Sequence, residues 1–343
     1  MSLDTGFTDS GNNSTALHSR RAYDLLSEGF GPGFNGPLMI VADGSLEEDP
    51  QLGGLVTALT GTPGVAAVGE PVFNDSGSTA GIIVYPDSAP QDSATSRLVH
   101  TLRGDVIPAA TQGTGVSAYV AGSTAAEIDV GERITSRTPI FFAVVIGLSF
   151  LLLMVVFRSV LIPIKAAVLN LLSIGAAYGV VVAIFQWGWL AGPLGINSTG
   201  PIEPFLPMMM FAILFGLSMD YEVFLVSRIR EEHVMGLETK RAIASGVSST
   251  ARVITSAALI MIVVFGSFVL GDERVIKEFG LGLAVAVLID ATIVRLVLVP
   301  SIMQLIGDAN WWMPSWLGRA LPNFQLDGRR LAGRPLPTGA EGG

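Results

Sequence analysis

Residues 215–232 read FGLSMDYEVFLVSRIREE, and this stretch decides the fold. It lies in an apolar run that starts at Phe205 and carries no charged residue before Asp220. A helix of about 20 apolar residues, at about 1.5 Å per residue, is long enough to cross the hydrocarbon core of a bilayer. A carboxylate inside such a helix is unfavourable unless it is protonated, paired or functional. The stretch therefore predicts a membrane protein with a polar site within its helices.

The composition of the whole chain also indicates a membrane protein. Half of the 343 residues are hydrophobic and 14% are charged, whereas about 25% are charged in an ordinary soluble domain. The chain contains no cysteine, which excludes disulfides, thiolate metal sites and cysteine nucleophiles. Its net charge of −9 argues against nucleic-acid binding, which favours a basic surface. We therefore expect membrane lipids, and no nucleic acid, among its partners.

Five apolar runs are long enough to span a membrane. They cover approximately Pro139–Phe157, Ile162–Trp187, Pro204–Ser227, Val253–Leu270 and Phe279–Ile306. All five tryptophans lie at or after the end of the second or the fifth run, where interfacial aromatic residues are common. This pattern predicts a five-helix transmembrane bundle at residues 138–306, followed by a disordered tail at 307–343.

Residues 1–137 alternate between helical and extended patterns. The predicted strands lie at about Leu38–Ala42, Val65–Phe73, Gly81–Tyr85 and Val116–Ala121. With the helical stretches between them, the order is β-α-β-β-α-β, which is typical of a ferredoxin-like domain. The fold class predicted is thus a polytopic α-helical membrane protein with an α/β domain before the bundle.

The distribution of lysine and arginine predicts the orientation of the chain in the membrane. One side of the predicted bundle has only Arg274 and Lys277 in its short loops. The other side, with the tail, has eleven basic residues, at 158, 165, 228, 230, 240, 241, 252, 319, 329, 330 and 334. Because basic loops stay in the cytoplasm, we expect the tail inside and residues 1–137 outside the bacterial cytoplasmic (inner) membrane.

Export of residues 1–137 requires a preceding signal or transmembrane helix. Residues 1–30 contain no apolar segment of the signal-peptide type. We therefore expect a transmembrane helix to precede this chain, and we expect the chain to act as a half-protein. Its expected protein partner is an amino-terminal half of the transporter or a second copy of the same chain.

The sequence contains no pattern typical of an enzyme. None of its three lysines follows a glycine, so no Walker A loop is present. His18, His100 and His233 are isolated from one another, and no serine lies in a G-x-S-x-G motif. Gly280-Leu281-Gly282 opens an apolar span, where close helix packing is expected. We therefore expect that the protein is not an enzyme and that it uses no metal or organic cofactor. We expect the energy for its work to come from a proton gradient or from a partner.

Asp220 and Tyr221 are the first candidate functional residues. Burial favours the neutral form of a carboxyl group, and a carboxyl that can be neutral or charged at little cost suits proton coupling. The alternative is a permanent hydrogen bond to a neighbouring helix. Adjacent helical residues point about 100° apart, so Tyr221 cannot be the partner of Asp220 within their own helix, and its hydroxyl must meet another helix.

Asp290 and Arg295 are the other intramembrane polar candidates. They are five residues apart, or about 140° on an α-helix, so the sequence predicts a poor salt bridge between them. Asp290 lies near the middle of its span and is expected to face the bundle interior, with a coupling role or a structural hydrogen bond both open. Arg295 is expected either to snorkel towards the cytoplasm or to pair with another helix.

Residues Phe215–Glu232 resemble the Asp-Tyr helix of the MMPL subfamily of resistance-nodulation-division (RND) transporters. The resemblance continues in Arg252–Ala258 and Ile289–Pro300, and in Ala22–Asn35, which is similar to the opening of a second porter domain. It covers most of the chain and weakens after Gly307. The resemblance implies the carboxy-terminal half of such a transporter, with residues 1–137 as an extracytoplasmic porter domain.

The resemblance also implies a function. Such transporters are proton-driven efflux proteins for lipids and lipophilic compounds. By resemblance, Asp220 is the proton carrier of a relay and Tyr221 pairs with the aspartate of the other half, while Asp290 and Arg295 are possible coupling or structural residues. Two alternatives stay open: a lipid-binding sensor or scaffold without net transport, and an inactive truncated fragment.

The predicted topology can be tested by cysteine labelling, because the chain has no cysteine of its own. A Ser78→Cys variant should react with a membrane-impermeant maleimide added to intact cells, since residues 1–137 are expected outside. A Ser315→Cys variant, in the predicted tail, should react only after the cells are opened. Labelling of the cysteine at position 78 from the cytoplasm alone would overturn the topology.

Overall fold

The computed structural model describes residues 3–44, 50–196 and 198–320. Within these residues, a small α/β domain is followed by a bundle of long helices. The elements of the domain are α1 His18–Phe30, β1 Leu38–Asp43, α2 Pro50–Thr60, β2 Val65–Val68, β3 Val72–Phe73, β4 Thr79–Pro86, α3 Ser93–Thr101, α4 Ile107–Thr111 and β5 Ser117–Ala121.

The strands form one antiparallel sheet in the order β2-β4-β1-β5, with β3 paired to β4. The predicted strand at 65–73 is divided into β2 and β3. Pro71 lies between the two, and its missing N–H and restricted φ disfavour a continuous ladder. The other predicted strands agree with the structure to within a few residues.

The core of the domain lies on one face of this sheet. In β1 and β4 every second residue is buried: Leu38, Ile40 and Ala42, and Ala80, Ile82 and Val84. Successive strand residues point to opposite faces, so these six side chains share the face covered by α2, α3 and α4. The helices contribute Leu55, Leu59 and Val99 to the same cluster.

Among the described residues, five helical segments are long and apolar enough to cross a membrane. They contain α5 Ser123–Phe157, α6 Leu161–Val181, α7 Leu206–Val234, α8 Thr239–Ser267 and α9 Arg274–Ile289. A π-helical turn, Val182–Gln186, extends α6; a π-helical segment, Asp290–Leu298, and α10 Val299–Ile306 extend α9. Each predicted span falls on one of these segments to within two residues, so all five apolar runs form helices long enough to cross a membrane.

Helix α5 joins the sheet domain to the bundle without a break. It begins at Ser123, directly after β5, and continues to Phe157, so residue 137, the expected domain boundary, lies within one helix. A continuous helix resists bending more than a loop does. The position of the sheet domain is therefore linked to that of the first span.

The first part of the expected tail is ordered. Residues Gly307–Trp311 form a 3-10 helix, and a short helix, α11, follows at Ser315–Ala320. Asn310 is buried, and its carbonyl accepts a hydrogen bond of 2.6 Å from the Ser159 hydroxyl just before α6. Residues 307–312 therefore pack against the bundle, and residues 321–343 lie outside the described residues.

Arg274 and Lys277 do not lie in a loop, as the topology argument assumed, but are buried on the first turns of α9. Arg274 donates hydrogen bonds to the carbonyls of Ser198 and Gly200 at 2.8 and 3.0 Å, and it pairs with Glu278 at 2.7 Å. Lys277 donates to two further carbonyls, at residues 194 and 195. These two side chains hold the long connection between α6 and α7 against α9.

The glycines at the start of the fifth span allow close helix packing, as the sequence predicts. A Cβ at Gly280 would lie 2.6 Å from the carbonyl oxygen of Phe265 on α8. A Cβ at Gly282 would lie 2.4 Å from the methyl carbon of Met210 on α7. Both distances are shorter than a normal contact. Helix α9 can therefore lie this close to α7 and α8 only because residues 280 and 282 have no side chain.

We expect Gly280→Ala to destabilise the bundle by about 1–3 kcal/mol, because the added methyl group meets backbone and not a flexible side chain. The matched control is Gly175→Ala in the middle of α6, where, apart from the backbone of α6 itself, no heavy atom of the described residues lies within 4 Å of the added Cβ. That substitution should be neutral or stabilising through helix propensity. Chemical unfolding of the detergent-solubilised protein measures both, and equal effects would contradict the packing argument.

Candidate functional site

Four buried polar residues meet in the middle of the bundle. Asn170 lies on α6, Ser218 on α7, and Asp290 and Arg295 on the π-helical segment that follows α9. We call this group the Ser218 cluster. Asn170, Ser218 and Asp290 line a small cavity between the three helices, together with Tyr221.

Direct hydrogen bonds connect the members of the cluster. The Ser218 hydroxyl lies 2.6 Å from Asn170 Oδ1 and 2.9 Å from Asp290 Oδ1. Arg295 Nη2 donates to Asp290 Oδ2 at 2.8 Å, to the Ser218 carbonyl at 2.8 Å and to the Ser218 hydroxyl at 3.0 Å. One serine on α7 thus contacts polar groups from both neighbouring helical segments.

The salt bridge between Asp290 and Arg295 corrects the sequence prediction. The expected angle of about 140° assumes an α-helix, but residues 290–298 form a π-helix. Its i→i+5 hydrogen bonds bring the fifth residue back over the first, so the two side chains share a face. Pro300 contributes to this geometry, because it cannot donate to the carbonyl of residue 296 and its ring crowds that carbonyl.

Arg295 does not snorkel but pairs inside the bundle. Only 1% of its surface is exposed, and it bonds Asp290 in its own segment and Ser218 on α7. Its Nε and Nη1 atoms have no hydrogen-bond partner among the described residues. Asp290 faces the interior, as predicted, and a buried guanidinium compensates part of the electrostatic cost of its charge.

Asp220 and Tyr221 point in different directions, as their spacing predicts. Asp220 is exposed on the outer face of α7, and within the described chain it makes no hydrogen bond or ion pair. Tyr221 is half-buried and its hydroxyl contacts Met261 Sδ on α8 at 3.7 Å. The other helix that this hydroxyl was expected to meet is therefore α8.

Tyr221 connects the two groups of candidate residues. Its ring lies 5.2 Å from the Arg295 guanidinium, in a cation–π contact. It also lines the same small cavity as Asp290. The structure therefore brings Tyr221, Asp290 and Arg295 together in the interior, whereas Asp220 lies exposed on another face of α7.

A second charged pair lies between α6 and α7 and was missed by the sequence analysis. Lys165 Nζ is 3.3 Å from Glu222 Oε1, and each side chain is 4% exposed. Glu222 lies one helical turn after Ser218, so the pair forms a polar layer next to the Ser218 cluster. A signal was available, since Glu222 is two residues from Asp220 and Lys165 lies within the second predicted span.

The Ser218 cluster consists of hydrogen-bonding and charged groups. Within the described residues there is no group of three or more histidine or acidic side chains that could hold a metal ion. The cluster has instead one carboxylate, one permanent cation and two neutral groups that can donate or accept hydrogen bonds.

Apolar spans around a charged interior define an integral membrane protein. Residues 45–338 of the chain match the MMPL family, and the chain belongs to that family of membrane transporters. It is therefore a multi-pass membrane protein.

The chain is similar to several curated proteins. It is 42% identical to Membrane protein YdfJ of Bacillus subtilis, over 96% of this chain and 45% of the relative. It is 36% identical to the Mycolic acid-containing lipids exporter MmpL11 of Mycolicibacterium smegmatis, over 93% of this chain and 33% of the relative. It is 39% identical to the Trehalose monomycolate exporter MmpL3 of Mycobacterium tuberculosis, over 66% and 24%. The chain thus spans less than half the length of these relatives.

Removal of the buried cation tests the structural importance of the cluster. We expect Arg295→Gln to destabilise the folded chain by about 3–5 kcal/mol at alkaline pH, because Asp290 is then left buried and unpaired. The control is Arg228→Gln, which removes an exposed arginine that pairs with Glu231 and should change stability by about 0–1 kcal/mol. Chemical unfolding in detergent measures both, and similar losses would contradict a stabilising role for the buried pair.

Proposed function

We propose that this chain forms half of a proton-motive-force-driven exporter of lipids or other lipophilic compounds. Membership of the MMPL family supports transport, and the names of two relatives specify export of lipids. The observation that carries the proton-driven mechanism is the line of polar side chains from exposed Asp220 through Tyr221 to the buried pair of Asp290 and Arg295.

Asp220 and Tyr221 act as part of the proton relay in this proposal. An exposed carboxylate at this position of an apolar helix is unfavourable in contact with lipid. Asp220 is therefore expected either to be protonated or to be covered by a protein partner. Tyr221 would transmit the change of charge at Asp220 to Arg295, because its ring contacts the guanidinium.

Asp290 and Arg295 have a coupling role in the proposal. A π-helical segment is less regular than an α-helix and often occurs at functional sites. The charge of Asp290 stabilises the fold of this segment through Arg295, and the segment continues α9. A change in that charge would therefore alter the packing of α9 against α6 and α7.

The sheet domain is the proposed porter domain. Its β-α-β-β-α-β order with an antiparallel sheet supports a ferredoxin-like fold, and the bias of basic residues supports an extracytoplasmic position in the bacterial inner membrane. Helix α5 would carry movements of the bundle to this domain, since it continues from one into the other.

The partner in the proposal is an amino-terminal half or a second copy of this chain. Asp220 is in line with the exposed residues Ala212 and Gly216 on α7. Small residues at four-residue spacing allow another helix to approach closely, and that helix would cover the carboxylate. The relatives, which are more than twice as long as the matched region, support a second half.

The cargo that we propose is a chemical class, lipophilic compounds. One relative that is 37% identical over 91% of this chain is named Heme uptake protein MmpL11, while others are named for mycolic lipids. Haem and lipids are both largely apolar, so a lipophilic cargo is the chemistry that these proteins share.

Substitution of the proposed proton carrier tests the function. In the complete transporter, Asp220→Asn should reduce proton-driven export to the level seen with an uncoupler, because asparagine keeps the shape of the side chain but cannot bind a proton. The measurement is lipid export from proteoliposomes with an imposed pH gradient. The control is Glu231→Gln, which neutralises an exposed acid near the end of the same helix.

The two alternatives make different predictions in this assay. A lipid-binding sensor would bind lipid equally well with Asp220 or with asparagine at this position and would show no gradient-driven flux in either form. An inactive fragment would show neither binding nor flux. Full export by the Asp220→Asn variant would reject the relay.

A further inference from the structure

The Ser218 hydroxyl has more acceptor atoms around it than it has protons. Its oxygen lies 2.6 Å from Asn170 Oδ1, 2.9 Å from Asp290 Oδ1 and 3.0 Å from Arg295 Nη2. A hydroxyl group donates one hydrogen bond and accepts up to two. Arg295 can only donate, so Ser218 can be the donor to Asn170 or to Asp290 but not to both.

An ionised Asp290 requires one arrangement of these bonds. A carboxylate has no proton to donate, so Ser218 must donate to Asp290. The contact to Asn170 is then favourable only if the amide has turned by half a rotation, which places Nδ2 where Oδ1 was. The two ends of an amide are nearly the same in shape, and the turned Nδ2 would donate to the Ser218 oxygen.

A protonated Asp290 requires the opposite arrangement. Its new O–H donates to the Ser218 oxygen, and Ser218 then donates to Asn170 Oδ1. The amide orientation in the structure is the one that suits this second arrangement. In it, Asn170 Nδ2 is buried and has no hydrogen-bond partner among the described residues, so the amide has a reason to turn when Asp290 loses its proton.

We infer that Asn170 and Ser218 form a hydrogen-bond chain that reverses its direction when Asp290 gains or loses a proton. When Asp290 is protonated, the donors point from the π-helical segment through α7 to α6; when it is ionised, they point from α6 towards the π-helical segment. The step is the binding of one proton from solvent to one carboxylate oxygen. Ser218 and Asn170 are positioning residues that convey this event between three helices.

The charged groups around Asp290 can be named from the structure, and the neighbouring arginine does not change its charge. Arg295 faces it from the same segment, and Tyr221 approaches from α7. The pair of Lys165 and Glu222 lies one turn of α7 further along. Arg295 keeps its charge at all accessible pH values, so it contributes a constant field. The direction of the hydrogen bonds through Ser218 and Asn170 therefore follows the protonation of Asp290.

The inference rests on the proposed function, because it assumes that a proton reaches the bundle interior. Infrared difference spectroscopy tests it without transport. The full chain in lipid nanodiscs is titrated from acid to alkaline pH, and the C=O stretch of protonated Asp290 is identified by its loss in Asp290→Asn. Labelling aspartate carboxyl groups with ¹³C shows, in the unsubstituted chain, that the band belongs to an aspartate and not to a glutamate.

A double-mutant cycle then tests whether Asn170 affects Asp290 through the Ser218 hydroxyl or by another route. Asn170 bonds Ser218 and makes no hydrogen bond to Asp290 among the described residues. Asn170→Ala should nevertheless shift the Asp290 band, and the shift should disappear when Ser218→Ala is already present, because the connection passes through that hydroxyl. Ser218→Thr keeps a hydroxyl group and should restore the response to Asn170→Ala.

Ser173→Ala is the matched control for Ser218→Ala. Ser173 lines the same cavity and is also buried, but its hydroxyl donates to the Ala286 carbonyl, so the Asp290 band should not move. If Asn170→Ala still shifts the Asp290 band when the Ser218 hydroxyl is absent, the proposed hydrogen-bond chain is wrong. Absence of any titrating Asp290 band would also overturn it, and it would leave the role of Asp220 in export to the separate transport assay.

Discussion

The buried salt bridge between Asp290 and Arg295 is the contact on which the centre of the bundle depends. It exists only because the backbone there is π-helical, which brings residues five apart onto one face. Arg295 also bonds the carbonyl and the hydroxyl of Ser218, so the same guanidinium joins α7 to the π-helical segment. Loss of either charge would leave the other buried without its partner.

Polar contacts at both ends of the helices complement this central pair. At the end next to the sheet domain, buried Arg274 and Lys277 bind carbonyls of the connection between α6 and α7. At the other end, Ser159 holds the segment after α10 through Asn310. These bonds restrict relative sliding of the helices, since each would leave an unsatisfied buried group if broken. In the proposed mechanism, a proton-linked change at the centre would be passed on as a concerted movement.

The same constraints explain which surfaces a partner would cover. In the apolar stretch of each span, only 17% of the residues are buried for α5 and 11% for α8. The share is 50–56% for the other three spans. These two helices thus present their side chains mainly to lipid or to another protein. Asp220 lies exposed on α7 beside small residues, and Tyr221 connects it to the interior. A helix docked there would both remove the carboxylate from lipid and reach the charged centre.

The amino-acid sequence was sufficient to locate the five long apolar helices and most of the strands, and to single out Asp220 as a charge in an apolar helix. Hydrophobic run length and two-residue alternation are local properties, so they can be read without coordinates. Only the tertiary structure decided that Asp290 pairs with Arg295, because a prediction based on α-helical geometry rotates them apart. It also decided that Glu222 meets Lys165 and that Arg274 is buried. Such pairings depend on how helices pack against each other, and a pattern along one chain does not contain that information.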